Sequence, residues 1–363
     1  MKLDDIASTF DFHRTRPNVS LDGHVRQKRI ELGKVVLNKY RIYLDLRFWV
    51  LLRDVELGKN KEQGLKQLLS MLKHLVDNEK CICPISESVF IEVMKQSDPI
   101  TRLATSKLID RLSKGVSLII HPQRISQELC NAVYSQAGAD DIYPIDVLVW
   151  IKLSYVLGET HPHETPFGAE EELVVQKSFF DHMWDISLAE MMGYLDFESW
   201  DQSNWQETAD SLNAGNKEHE NGLKSFKQIY RTEFEGGLSL FKDELIALLK
   251  EVDKAGYKDF EKEAENLTKN ERFSKFSKSV RTLHIGACCH AAVRWDQKRQ
   301  LTGNDLLDFH HAEAAIGYCN LFLTEKPLKT LVSQRHLELT SDYPCTVVST
   351  AKDGLEALTN VYG

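Results

Sequence analysis

Residues 301–332, LTGNDLLDFHHAEAAIGYCNLFLTEKPLKTLV, decide the fold that we expect for this chain. Gly303 and Asn304 predict a turn with a helix-capping residue, after which small and apolar residues continue at helical spacing. The apolar run Leu321–Leu323 follows and ends at Thr324, which is typical of a short buried strand. The stretch therefore predicts a loop, a helix and a strand in that order.

Asp305 and Asp308 lie three residues apart at the start of this predicted helix, so they share one of its faces. Two like charges there make ionisation costly unless a cation neutralises them. The helix dipole helps, and a divalent metal ion would help more. Asp305 also has a purely structural explanation, since aspartate in a first helical turn complements the dipole.

Length and charge limit the classes of protein that the chain can belong to. With 363 residues and 42% hydrophobic content, it can form one large domain or two of ordinary size. Its net charge of −9 argues against a broad basic surface for nucleic acid. A local basic patch is compatible with that charge, and so is an acidic cleft that holds Mg²⁺ or Mn²⁺.

The cysteines and apolar runs predict a cytoplasmic protein without a membrane partner. The seven cysteines are an odd number and lie mostly in apolar segments, as reduced core thiols do. The apolar runs are shorter than the roughly 18 residues of a membrane span. Residues 1–14 also lack the apolar centre of a signal peptide.

Five short apolar segments predict strands, and helical patterns separate them. The segments are Arg41–Leu46, Cys81–Ile85, Val116–His121, Leu321–Leu323 and Cys345–Ser349. Strands that alternate with helices are typical of an α/β fold with a parallel sheet. Between residues 122 and 300 the pattern is almost wholly of helical period, which predicts a large helical insertion.

Acidic residues follow two of these strands. Asp45 ends the first strand, and open α/β sheets bind ligands at that edge. The alternative is that Asp45 only caps the next helix. Glu92 lies about a turn into the helix after the second strand, whereas Glu87 is better placed to complement the dipole of that helix.

A basic segment, KNERFSKFSKSVR, predicts an amphipathic helix near the end of the insertion. Its basic residues lie outside the face that carries Phe273 and Phe276, and they are candidates for contact with phosphates: Arg272, Lys275, Lys278 and Arg281. The alternative is an ordinary solvated helix face.

Two motifs resemble those of PIN-domain nucleases. Asp308, a small-residue helix and a strand that ends at Thr324-Glu325 resemble the closing motif of that family. The segment YLDLRFWVLL around Asp45 resembles its opening strand and aspartate. The resemblance covers residues 41–121 and 301–350. It implies a discontinuous nuclease core at 39–121 and 301–363, a helical insertion at 122–300 and an N-terminal extension at 1–38.

The resemblance also implies a set of site residues. The catalytic acids would be Asp45, Glu92, Asp308 and Glu325, supported by Asp305 and Thr324. Mg²⁺ or Mn²⁺ would be bound by Asp45, Glu92, Asp305 and Asp308. The sequence departs from the family at one place, because many members carry an aspartate where Lys326 stands.

The function implied by the resemblance is a metal-dependent endoribonuclease, such as a toxin of a toxin–antitoxin pair or an anti-phage effector. RNA is favoured over DNA as the substrate only by the family. Two alternatives stay open: a DNA nuclease of the same mechanism, and a catalytically silent scaffold that binds a protein or RNA. The sequence also leaves open a regulatory protein partner and self-association.

Overall fold

Strand β1 (Tyr40–Leu44) lies inside a parallel sheet whose strand order is β2-β1-β5-β6. Its partners are β2 (Cys81–Ile82), β5 (Leu321–Leu323) and β6 (Thr346–Val348). The computed structural model describes residues 3–139, 142–193, 204–218, 225–253, 256, 259–269, 273–296 and 299–363. Strands β3 (Val116–Leu118) and β4 (Trp150–Lys152) form a separate antiparallel pair.

Helices surround the sheet and make up most of the described residues. In chain order they are α1 (Leu3–Arg14), α2 (Leu21–Leu37), α3 (Leu46–Glu56), α4 (Gln63–Asp77), α5 (Glu87–Met94), α6 (Pro99–Ser113), α7 (His121–Gln136), α8 (Ile145–Leu148), α9 (Ala169–Trp184), α10 (Leu188–Met191), α11 (Trp205–Glu218), α12 (Phe226–Ser239), α13 (Lys242–Glu251), α14 (Phe260–Lys269), α15 (Phe273–Ser279), α16 (Arg281–Trp295), α17 (Gly303–Tyr318), α18 (Lys326–Val332), α19 (Leu339–Asp342) and α20 (Ala351–Tyr362). Short 3₁₀ turns cover Leu153–Tyr155 and Arg335–Leu337.

The central strands are apolar because helices cover both faces of the sheet. Ile42, Tyr43 and Leu44 of β1 pair in register with Leu321–Leu323 of β5, and all of them are fully buried. Parallel strands buried on two sides carry such continuous apolar runs. The expected α/β class with a parallel sheet flanked by helices is therefore confirmed, with four strands in that sheet.

The prediction of a fifth parallel strand was wrong. Val116–Leu118 pairs antiparallel with β4, and among the described residues one isolated parallel bridge joins its Ser117 to Ile85, just beyond β2. Strand β4 itself lies in a segment for which we expected a helix. The run around Trp150 is short and apolar throughout, and such a run has no periodicity that separates a strand from a buried helix.

The start of α17 also differs from expectation. Thr302, rather than Asn304, caps the helix, because its hydroxyl accepts from the Asp305 N–H while the Asp305 carboxylate accepts from the Thr302 N–H. This capping box satisfies two backbone donors at once. The helix therefore begins at Gly303, and Asp308 lies in its second turn.

The hydrophobic core continues from the sheet into the segment that we expected to be an insertion. Trp150 and Tyr155 belong to the same cluster as the sheet, and so do Ile285 and Cys289 of α16. A second cluster holds side chains of α7 and α12–α16, among them Phe234, Leu245 and Phe276. The domain boundaries at 121 and 301 stay a prediction.

Two further observations concern the cysteines and the helix lengths. All seven cysteines lie in the described part of the chain and are free thiols, six of them buried. Among the helices of the described ranges, none is long and apolar enough to cross a membrane.

Gly33 lets α2 pack directly on the backbone of α8. A Cβ at this position would lie 2.0 Å from the carbonyl oxygen of Val147. We expect Gly33→Ala to lower the free energy of unfolding by roughly 1–3 kcal/mol, because backbone atoms cannot move aside cheaply. Urea unfolding measures this change.

The matched control is Gly215→Ala, in α11, where a Cβ would meet nothing within 4 Å. We expect this substitution to raise stability by roughly 0.5–1 kcal/mol, because alanine loses less backbone entropy in a helix. Equal effects of the two substitutions would contradict the close packing of α2 on α8.

Candidate functional site

Asp45 lies at the carboxyl end of β1, where the chain turns from the strand into α3. Its backbone is extended, and its carboxylate accepts a hydrogen bond of 3.1 Å from the Phe48 N–H. The hydroxyl of Thr324, at the end of the neighbouring strand β5, acts on the same carboxylate and favours its ionised form. Asp45 is thus both the cap of α3 and a buried acid at the sheet edge.

Glu92 and Asp308 reach this edge from two helices that pack together, α5 and α17. His311 joins them: its Nε2 lies 2.8 Å from the Glu92 carboxylate, and the negative charge of Asp308 acts on its imidazole. The structure therefore brings together the predicted acids Asp45, Glu92 and Asp308. We call these three, with His311 and Thr324, the acid cluster.

A chain of hydrogen bonds fixes His311. Its Nδ1 lies 2.8 Å from the Tyr43 hydroxyl, which in turn lies 2.6 Å from the hydroxyl of Ser86. All three side chains are buried. Tyr43 is on β1 and Ser86 precedes α5, so these bonds hold the imidazole between the sheet and the helix that carries Glu92.

Burial and like charge disturb the titration of the acid cluster. Burial raises the pKa of Asp45 to about 6, although the charge of His311, the hydrogen bond from Phe48 and the nearby hydroxyl of Thr324 oppose the shift. Burial also raises the pKa of Asp308 to about 7, and the negative charges of Asp45 and Glu92 add to that shift. A cation near these carboxylates would reverse both shifts.

His311 is the positively charged partner in this cluster. Burial disfavours its charged form, but the carboxylates of Glu92, Asp45 and Asp308 outweigh burial and raise its pKa. The charged imidazole donates from Nε2 to Glu92 and from Nδ1 to the Tyr43 hydroxyl, which then donates to Ser86.

Two other predicted site residues have different surroundings. Asp305 belongs to the capping box of α17, and its carboxylate forms an ion pair with Arg299. Glu325 is exposed at the N-terminus of α18, and its side chain makes no capping hydrogen bond. The negative charge of Asp305 nevertheless adds to the raised pKa of Asp308.

The expected basic helix is divided in two, because α15 ends at Ser279 and α16 begins at Arg281. Lys275 is exposed, whereas Lys278 and Arg281 are held by aspartates, Asp342 and Asp146 respectively. The predicted candidate Arg272 lies outside the described residues.

Arg281 also donates to the carbonyl oxygen of Gly317, near the C-terminus of α17. Asp308 lies nine residues earlier on the same helix, which corresponds to about 14 Å along its axis. Arg281 therefore lies near the amino-terminal edge of the sheet, and the acid cluster lies at the opposite edge.

A second group of buried polar residues had no signal in our reading of the sequence. Arg124, fully buried on α7, donates to the Thr282 hydroxyl and lies 3.8 Å from the carboxylate of Glu87. Glu128 accepts from the backbone and hydroxyl of Thr282 and from the hydroxyl of Tyr318. Each partner is far away in sequence, so no local motif reports the network.

Two tight groups of ligand-type side chains lie elsewhere in the described ranges. In each, the ligand atoms lie within 4.8 Å of one another, and the groups are His13, His24, Asp181 and His121, His310, Glu313. The carboxylates of the acid cluster do not form such a tight group. In the first group Lys28 lies 3.2 Å from Asp181, so a cation is already supplied.

Compared with known proteins, the chain matches no family model, no curated protein and no solved structure. The function of the chain must therefore be inferred from its own residues and from the geometry that joins them.

Asp308→Asn tests the electrostatic strain of the acid cluster in EDTA. The pKa of Asp308 is about 7 in the folded chain, against 3.8 for an ordinary aspartate side chain. The folded state therefore binds this proton more tightly, and its ionisation removes stability as the pH rises between these values. Asparagine cannot ionise. We therefore expect the free energy of unfolding of the variant, relative to that of the wild type, to rise by roughly 1–3 kcal/mol from about pH 4.5 to about pH 8.

Chemical denaturation at the two pH values measures the gain, and Asp77→Asn is the control. Asp77 is half exposed and pairs with Arg111 and Lys114 at the surface. A surface pair of this kind contributes little to stability. If the advantage of Asp308→Asn were the same at both pH values, the proposed strain would be refuted.

Proposed function

We propose that this chain is a metal-dependent nuclease, an endoribonuclease that hydrolyses phosphodiester bonds at the acid cluster. The observation that supports this most is the meeting of Asp45, Glu92 and Asp308 at the carboxyl edge of a parallel sheet. Asp45 directly follows β1, and the other two acids lie on α5 and α17. Open α/β sheets bind their ligands at this edge.

The donor set suits a hard divalent cation. Mg²⁺ and Mn²⁺ prefer carboxylate oxygens, and the cluster offers three carboxylates with one threonine hydroxyl beside them. Asp45 and Asp308 both have raised pKa values, so their paired ionisation is costly without a cation. Bound by Asp45, Glu92 and Asp308, the ion would activate water and stabilise charge on the departing oxygen.

The other residues of the cluster orient these acids. The Phe48 N–H donates to Asp45, which fixes the direction of its carboxylate, and the Thr324 hydroxyl favours its ionised form. His311 holds Glu92 and is itself held by Tyr43. Such supporting hydrogen bonds set the orientation of metal ligands in proteins.

One observation favours the alternative of a silent scaffold. His311 already pairs with Glu92, and the three carboxylates are not gathered as tightly as ligands of one ion. A chain that had lost its metal could keep this arrangement for structure alone. RNA is preferred to DNA in our proposal only through the PIN-like motifs, and a toxin or anti-phage role has the same origin.

Cleavage of labelled single-stranded RNA, with matched DNA, tests the proposal in Mn²⁺, Mg²⁺ and EDTA. We expect metal-dependent cutting of RNA, because the carboxylates need a cation to act on a phosphate. Asp45→Asn and Asp308→Asn should each lower the rate by about 100-fold or more, since each removes a negative ligand.

Asp77→Asn is again the control and should keep the wild-type rate. It changes the same residue type, in an exposed ion pair at the end of α4. Cutting that survives in EDTA or in both cluster variants would refute the nuclease. Cutting of DNA alone would keep the mechanism and change the substrate.

Glu325→Gln measures whether the exposed acid shares in the reaction. Because Glu325 lies outside the buried centre of the cluster, we expect it to act only through solvent. The substitution should lower the cleavage rate by less than about tenfold. A loss as large as that of Asp45→Asn would make Glu325 a full member of the site.

A further inference from the structure

A second cluster lies on the other side of α17 from the acid cluster. His121, the first residue of α7, stacks on His310 with ring centroids 4.5 Å apart and planes 5° apart. Glu313 follows His310 by three residues, so both lie on one face of α17. The nitrogen and oxygen ligand atoms of all three side chains lie within 4.8 Å of one another.

One carboxylate oxygen of Glu313 has no hydrogen-bond partner, although the charge of Arg124 acts on this side chain. The side chain is only 6% exposed, and its Oε2 lies 3.0 Å from Nε2 of His121. The two atoms do not meet the geometry of a hydrogen bond, and Oε2 has no other hydrogen-bond partner. A buried carboxylate oxygen without a hydrogen-bond partner costs free energy, so a further group that binds this oxygen would stabilise the site.

The neighbouring helix leaves room for this carboxylate. Gly286 of α16 faces Glu313, and a Cβ there would lie 2.3 Å from its Oε1. The backbone N–H of His121 is already taken, because it donates to Glu87 over 3.1 Å. The unsatisfied oxygen therefore faces the imidazole nitrogens rather than the backbone.

The donor types fit one transition-metal ion, and Nε2 of His121 and Oε2 of Glu313 lie 3.0 Å apart. Donor atoms of a tetrahedral zinc site lie about 3.3 Å apart, since each is about 2 Å from the metal. Two imidazoles and a carboxylate are a ligand set that zinc uses in proteins, leaving a fourth position for water. Mg²⁺ is less suited, because it prefers oxygen donors.

We propose that His121, His310 and Glu313 bind a zinc-type transition-metal ion that ties the start of α7 to α17. The ion would satisfy the orphaned oxygen of Glu313 and join two helices that meet at the sheet edge. The inference is independent of the nuclease proposal, because it needs neither a substrate nor the three acids of the other cluster.

Zinc binding to the full chain tests this site directly. The metal-free protein is titrated with Zn²⁺ by calorimetry, and bound zinc is measured after dialysis. We expect about one equivalent to remain bound to the wild type. His121→Gln and His310→Gln should each weaken binding by at least about tenfold, since each removes a ligand.

Two control variants locate the ion. His24→Gln alters the other histidine cluster, and Asp45→Asn alters the acid cluster, so both should keep the bound zinc. Circular dichroism in EDTA shows whether each variant is folded, and the partly exposed His121 is the safer of the two ligand positions to change.

The proposal is overturned if the folded wild type binds no zinc, or if His121→Gln binds it as tightly as the wild type. Loss of zinc in Asp45→Asn, with retention in His121→Gln, would place the ion in the acid cluster instead. Neither result depends on cleavage activity, so a failed nuclease assay and a failed zinc titration are separate outcomes.

Discussion

The burial of carboxylates beside α17 is the constraint on which the rest of the structure depends. Asp45, Asp308 and Glu313 lose hydration there, and burial raises the pKa of each. A buried acid is tolerated when donors or cations replace the lost water. The surroundings of α17 can therefore be understood as the set of groups that compensate these acids, among them the imidazole of His311.

Arg124 performs this compensation on the side away from the acid cluster. Its guanidinium faces Glu87, and Glu128 and Glu313 also act on it electrostatically. Through Thr282 it joins α7 to α16, which packs on α17. The helical segment is thus linked to the sheet by buried charge as well as by apolar contact, and removing one partner would leave another uncompensated.

The sequence predicted those features of the site that neighbouring residues determine. Asp45 directly follows an apolar strand and Asp308 lies early in the helix that precedes another, so their meeting follows from parallel topology. It could not predict the partner of His121, because Glu313 lies far along the chain and only tertiary packing joins them. Strand β4 was missed for a related reason, since a short buried run reveals its structure only through its pairing.

Helix α17 separates two kinds of ligand chemistry by its own geometry. The pairs Asp308–His311 and His310–Glu313 have the same spacing of three, and the second pair begins two residues after the first. Two residues turn a helix by about 200°, so the pairs face nearly opposite sides. One side meets the carboxylates of Asp45 and Glu92, and the other meets the imidazole of His121. Hard cations such as Mg²⁺ prefer carboxylate oxygens, whereas borderline cations such as Zn²⁺ also bind imidazole nitrogens. Two ions could therefore bind the same helix without competing for one site.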